Sequence, residues 1–455
     1  MQHLSVDFHN LLGKPKPMHA ANNFTIPRSG WDAKTSVYMA DDFKALGIPY
    51  VRNHDASLST TLGGHHVVDV DAIFPDMSKD PEKPENYDFA VTDEYVRTAR
   101  AGGSEVFYRL GASIEHGVKK YRTLPPTDNE KYAIVCEHIV RHYNEGWADG
   151  FHENITYWEI WNEPNLDPED SPNKKTWGGT KEQFFDLFVA IFKRLKTAFP
   201  HLKIGGPAHA GYDMPEWDEP FFGRLTEENI KLDFYSYHLY HYDVEEMNHA
   251  TLHSRKLLDS HGQTQAEAIF NEWNYIKSWE GQEYRDSYTT IKNHKGAAFA
   301  LSVMLDGCYL PVDMLMYYDL MPNAGFNGVF GSFGTKLKSY YVFSMYNELY
   351  QKDRYATVSS DHKDLHIAAA TSENDAVILI SNYSDEPETE ELQFELNIKD
   401  FTSDKGVTLS YFLLDETNDF VPIRKEIYNS IEYTPILTLP KHACLMVKLE
   451  KSTDL

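Results

Sequence analysis

The chain has 455 residues, 42% apolar and 25% charged, with a formal net charge of −26. An acidic chain with no basic run argues against nucleic acid as a partner and against a polyanionic substrate. No apolar run approaches the ~20 residues that span a membrane, and the length exceeds one ordinary core, so two domains are expected.

Segment 3–9 alternates apolar and polar residues and reads as a strand. From 14 to 352, strand-like and helix-like runs alternate. A first strand lies near 18–23, and a helix over 33–46 is stopped by Gly47. A strand at 50–52 follows, then a helix over 92–101, a strand at 105–110, a helix over 131–143 and a strand at 155–161. Thr180 and Gln183 form a capping box for a helix whose Phe184, Leu187, Phe188, Ile191 and Leu195 recur at helical spacing. Strands at 202–206, 232–237, 267–272 and 314–318 come next, with helices over 252–260, 295–307 and 337–350. Eight strand–helix units predict a (β/α)8 barrel over 14–352. Segment 58–88 reads as a long loop over its mouth, extended at 67–74. Past 353 the runs are short and separated by polar turns, which predicts a β-sandwich over 353–455, joined by an N-terminal strand within 1–13.

Cys136, Cys308 and Cys444 show no metal-ligand spacing and fit reduced core thiols. The first seven residues lack a basic start and an apolar leader, so the chain is expected to be cytoplasmic unless a leader has been removed. His65-His66 and the His238/His241 pair lack the helical His-Glu-x-x-His frame of a zinc site. No metal and no cofactor is expected.

Two stretches carry the chemistry. Tyr157-Trp158-Glu159-Ile160-Trp161-Asn162-Glu163-Pro164-Asn165 and Ala268-Ile269-Phe270-Asn271-Glu272-Trp273-Asn274-Tyr275 are apolar runs ending in a carboxylate between Asn and Trp. An unpaired carboxylate is costly away from water. Barrel active sites sit at the C-terminal ends of the strands, and strands four and seven face each other. Glu163 and Glu272 can therefore flank one glycosidic bond, with Glu163 as acid/base and Glu272 as nucleophile. Trp158, Trp161 and Pro164 would give Glu163 apolar surroundings, and Asn162 would donate to the sugar's 2-hydroxyl.

The acid/base stretch resembles that of glycoside hydrolase family 39, in the clan of (β/α)8 retaining glycosidases, a family that contains β-xylosidases and α-L-iduronidases. Val51-Arg52-Asn53-His54-Asp55, Lys203-Ile204-Gly205-Gly206-Pro207-Ala208, Asp233-Phe234-Tyr235-Ser236-Tyr237-His238-Leu239-Tyr240 and Glu272-Trp273-Asn274 resemble the family's other motifs, in order. The resemblance implies a carbohydrate substrate and a β-xylosidase-like hydrolase, and the long loop 58–88, which would wall off the pocket, predicts exo action. The resemblance leaves open an α-L-arabinofuranosidase, α-L-iduronidase-like or endo specificity, or a carbohydrate-binding protein without catalysis. His54, Asp55, Asn162, His238, Tyr240, Trp273, Tyr318 and Asp319 would line the sugar site, with Arg52 supporting a carboxylate beneath it. Three departures bear on specificity: Asp55 replaces a Gly, Phe270-Asn271 precedes the nucleophile, and Tyr318-Asp319 stands where many relatives carry a Trp under the sugar.

Overall fold

The computed structural model describes residues 1–24, 39–54, 66–322, 325–331, 334–386 and 391–452. The chain opens with β1 (Gln2–Leu11). Eight strands then close into a parallel barrel in chain order: β2 (Ala20–Asn22), β3 (Tyr50–Arg52), β4 (Glu105–Leu110), β5 (Tyr157–Ile160), β6 (Lys203–Ala210), β7 (Phe234–Tyr240), β8 (Glu267–Asn274) and β9 (Met314–Tyr317). The fold is the (β/α)8 barrel read from the sequence.

The helices are α1 (Ala40–Leu46), α2 (Val70–Ile73), α3 (Ala90–Ala101), α4 (Asn129–Glu145), α5 (Lys181–Ala198), α6 (Pro215–Glu227), α7 (Val244–Ser260), α8 (Gly281–Ile291), α9 (His294–Gly307) and α10 (Lys338–Tyr350). The Thr180/Gln183 capping box opens α5, and Asp128 caps α4. Sequence reasoning missed α6, whose internal Pro220 and Gly223 dilute the helical signal although Pro215 is well placed in the first turn. The stretch 67–74 is not extended but carries the short α2. Residues 33–38 of the expected first helix, and 58–65 of the mouth loop, lie outside the described residues.

The barrel interior is layered. Ala20, Phe107, Tyr157, Phe234, Ile269, Met314 and Met316 form an apolar plug. One step toward the C-terminal ends of the strands the layer turns polar, with Asn22, Arg52, Arg109, Glu159, Ser236 and Asn271 all buried. A ring of charges directly above an apolar plug survives only if each member is paired.

Beyond the barrel come β10 (Arg354–Ser360), β11 (Leu365–Thr371), β12 (Asp375–Asn382), β13 (Leu392–Lys399), β14 (Val407–Leu414), β15 (Val421–Tyr428), β16 (Glu432–Tyr433), β17 (Ile436–Leu439) and β18 (Ala443–Lys451). They join β1 in one sheet ordered β15-β14-β18-β12-β11-β10-β1-β13-β16, with β17 also on β13. The first two residues of β10 pair with β11 and the rest pair with β1, so the sheet turns over along this strand. Its two halves face each other. Leu4, Val6, Phe394 and Leu396 of one half share a core with Ile378, Leu409, Val447 and Leu449 of the other. Ala368, Ala370, Val377, Leu379 and Met446 point the opposite way, into the core that contains α9 and α10. A half-sheet buried on both faces explains the unbroken apolar run Ala376-Val377-Ile378-Leu379-Ile380.

Candidate active site

Arg52, at the end of β3, organises the site. Its guanidinium lies 2.7 Å from Glu159 and 3.1 Å from Glu272, and donates to Asn162 Oδ1 at 2.6 Å and to Asn22 Oδ1 at 3.0 Å. Glu159 accepts further hydrogen bonds from Ser236 (2.6 Å) and Asn271 (2.5 Å), so this fully buried carboxylate is satisfied on both oxygens. Sequence reasoning placed a carboxylate beneath the site without identifying it. Glu159 sits inside β5 with Tyr157 of the plug two positions before it, and that spacing alone puts it inward.

Two local distortions aim the paired acids. After β5, Trp161 and Glu163 adopt left-handed φ of 76° and 47°. Such angles are costly for these residues and persist only when the surroundings fix them. The Trp161 ring packs against Trp177 and Phe184 outside the barrel, and its indole N–H donates to Thr176 O. The Glu163 backbone N–H donates to Ala208 O at 2.8 Å and its carbonyl accepts from Thr176 Oγ1 at 2.5 Å. With Trp161 anchored outward, Asn162 and Glu163 turn inward. In β8 the pairing with β7 slips between Phe270 and Glu272, leaving Asn271 without a partner residue. This is a β-bulge, and it directs Asn271 and Glu272 inward in succession, where a regular strand would alternate.

The result is a compact cluster. One carboxylate oxygen of Glu163, one of Glu272 and an imidazole nitrogen of His238 all lie within 4.8 Å of one another. His238 Nδ1 is 2.8 Å from Glu163 Oε1 and 3.5 Å from Glu272 Oε2. Tyr240 donates its hydroxyl to Glu272 Oε1 at 2.6 Å. Burial pushes Glu272 above the ordinary carboxylate range, and the Glu163 charge adds to the push; His238, Arg52 and the Tyr240 hydroxyl pull against it. Burial holds His238 down at about 4, against the attraction of Glu272 and Glu159, so its imidazole is neutral near pH 7. Burial and the Glu272 charge raise the Tyr240 phenol well above its usual value, which keeps it a donor.

The other expected site residues fall as follows. Asn162 is buried, and its oxygen is engaged by Arg52, which turns its NH2 group away from the guanidinium. His54 is buried against Arg109, whose Nε donates to His54 Nδ1 at 3.3 Å; Arg109 in turn bonds Asp69 and Ser113. Burial and the charges of Arg52 and Arg109 keep His54 neutral, and accepting at Nδ1 puts its proton on Nε2. Asp319 is buried, with its Oδ2 3.2 Å from Asn23 Nδ2. Tyr318 is part-buried beside Phe326 and Tyr240. Asp55 lies outside the described residues.

Trp273 is a correction. It is fully buried on the outside of the barrel wall, edge-on to Tyr317 and 6.3 Å from Phe299 of α9. The bulge that sends Glu272 inward sends the next residue outward. The surroundings expected for Glu163 change too, because Trp158 stacks on Tyr108 and Trp161 on α5, leaving His238 beside the carboxylate.

A (β/α)8 barrel with two acids and a neutral imidazole converging above strands four, six and seven is the class that this fold and site define. The chain belongs to the glycosyl hydrolases family 39, whose model matches residues 65–306. It is 29% identical over 206 residues to a β-xylosidase of Geobacillus stearothermophilus, covering 43% of this chain and 37% of that protein. It is 24% identical over 359 residues to a β-xylosidase of Caldicellulosiruptor saccharolyticus, covering 73% and 66%. The matches thus span between about a third and two thirds of these relatives. The crystal structure of a glucosidase from Croceicoccus marinus covers all of both chains at 20% identity with a TM-score of 0.79 and shares the fold.

Proposed function

We propose that the chain is a retaining glycoside hydrolase, β-xylosidase-like and exo-acting. The observation that carries the reading is the approach of Glu163 and Glu272 to within 4.8 Å. Retaining enzymes hold their two carboxyl groups ~5–5.5 Å apart, and inverting ones need ~6.5–9.5 Å to admit a water. A buried Glu272 and a part-buried Glu163 this close disfavour each other's charge, so only one of them ionises readily. Arg52 and Tyr240 both contact Glu272, so the negative charge belongs there and the proton to Glu163. With Glu163 protonated, its repulsion of Glu272 vanishes.

In the first step Glu272 attacks the anomeric carbon, Glu163 gives its proton to the departing oxygen, and a glycosyl ester forms. In the second, Glu163 takes a proton from water, which attacks the same carbon and releases Glu272. Neutral His238 holds the Glu163 carboxyl in place through both steps, and Asn162 donates to the sugar from its Arg52-fixed amide.

Glu272→Gln is expected to cut turnover by about 10³-fold or more. Glu163→Ala is expected to cost about 10²–10⁴-fold on substrates with poor leaving groups, with azide partly restoring turnover as the β-glycosyl azide. Full activity in Glu272→Gln would sink the assignment.

A second reading keeps the mechanism and changes the sugar. It is favoured by Asp319, buried against Asn23 where many relatives place a Trp, and it includes glucosidase or α-L-arabinofuranosidase specificity. A panel of aryl glycosides separates the two readings by kcat/KM.

A further inference from the structure

Trp279 is the one tryptophan among the described residues with a large exposed face, at 55% exposure. It lies five residues past β8, on the loop that leaves the Glu272 strand. Its ring stands edge-on to Tyr240 with centroids 5.2 Å apart, and Tyr284 and Phe326 support it at 5.9 and 6.3 Å. Tyr240 is the residue whose hydroxyl reaches Glu272. Exposure therefore rises outward along one path: Glu272 at 8% for its side chain, part-buried Tyr240, then half-exposed Trp279 at the rim.

We infer that Trp279 is the stacking face for the leaving-group unit of the substrate, a saccharide ring or an aryl aglycone. The inference rests on the glycosidase reading and deepens it. A sugar whose anomeric carbon meets Glu272 occupies the buried end of this path, so the group it sheds extends toward the rim. An aromatic face there meets the C–H face of a sugar ring without demanding a particular hydroxyl pattern. Tyr284 of α8 and Phe326 flank the indole from neighbouring elements.

The test separates the leaving-group side from the chemistry. A 2,4-dinitrophenyl 2-deoxy-2-fluoro-β-xyloside is added to the wild type, Trp279→Ala and Trp279→Phe. Glu272 displaces dinitrophenolate, which leaves as the anion, and the glycosyl ester accumulates at a mass measurable on the peptide. Reactivation is then followed in water and with increasing xylobiose, whose hydroxyl attacks the anomeric carbon and passes its proton to Glu163. In Trp279→Ala the xylobiose concentration for half-maximal reactivation is expected to rise about 2- to 10-fold, the worth of one aromatic contact. The water-driven rate is expected to change less than the acceptor's, and Trp279→Phe to restore most of the difference. An unchanged xylobiose dependence overturns the assignment of Trp279 alone. So does an equal loss in both routes, or a failure to trap in Trp279→Ala, either of which puts the ring at the reacting centre. A wild type that forms no ester on Glu272 with this xyloside, nor with the corresponding 2-fluoro glucoside and arabinofuranoside, overturns the glycosidase reading itself.

Discussion

Arg52 does at residue scale what no single carboxylate could do for itself. One guanidinium neutralises Glu159, biases Glu272 toward its charged form and fixes the orientation of Asn162. Lysine could supply the charge but not the divergent donors. Arg52→Lys is therefore expected to lower kcat/KM by about 10²-fold, since a misplacement of ~1 Å costs that much, and to move the acid limb of its pH profile upward. Burial raises the pKa of Glu272 and Arg52 lowers it, so loosening the Arg52 contact raises it further. In the wild type the limb should lie above ~4.3, the ordinary Glu value. Glu163→Gln keeps a neutral group beside Glu272, as the protonated Glu163 does, and should leave the acid limb in place, measured with an activated aryl glycoside that needs no acid. An acid limb that shifts in Glu163→Gln would contradict the placement of the proton on Glu163.

At the scale of elements, two departures from regular geometry build the site. Trp161 is pulled to the outside by Trp177 and Phe184, and the slip at Asn271 turns two consecutive residues inward. Trp273 follows as a wall residue packed on α9. Trp273→Ala is expected to cost about 3–5 kcal/mol of stability, the usual penalty for emptying a buried aromatic site, while KM of the folded fraction stays near that of the wild type. Urea unfolding and steady-state kinetics check this together. A raised KM with little loss of stability would return the ring to the pocket. Backbone contact constrains β6 as well. A Cβ on Gly205 would meet Phe234 O at 2.1 Å, so this position admits no side chain while β6 and β7 keep their spacing.

For the whole molecule, α9 is the shared wall. Phe299 packs on Trp273 and Tyr275 on the barrel side and on Tyr383 beyond β12, while Ser381 of β12 donates to Ala298 O at 3.0 Å. Asp385, after β12, accepts from Tyr275 and Lys277 on the loop that follows Glu272, at 3.0 and 2.6 Å, and also pairs with Lys295. The sheet thus braces the Glu272 strand from outside. Stability should fall with acid in a defined window. Burial lowers His19 to about 3 and His238 to about 4, and both return to about 6.5 on unfolding. Between pH 6.5 and 4 the unfolded chain binds these protons and the folded one does not, so folding weakens as pH drops. Asp71, raised by burial to about 6, acts in the opposite direction below that pH and offsets part of the loss. Equilibrium urea unfolding at pH 7 and pH 4.5 should register a net loss, and equal stability at the two values would rule out this account.

The amino-acid sequence determined the barrel, the all-β partner and the two acids, because those depend on short-range information. Helical and strand periodicity, Gly stops and a capping box act within a few residues, and Glu163 and Glu272 stand at the ends of apolar runs. Which way each neighbouring side chain faces was decided only by tertiary structure. Strand parity would have put Asn271 and Trp273 on one face with Glu272 on the other; pairing with β7 slips by one residue and reverses that assignment for Glu272. Glu159 and Glu272 meet at Arg52, and Tyr240 meets Glu272, because separate strands converge in one closed barrel. Register between distant strands is set by the packing of the whole barrel, and no local run of residues encodes it.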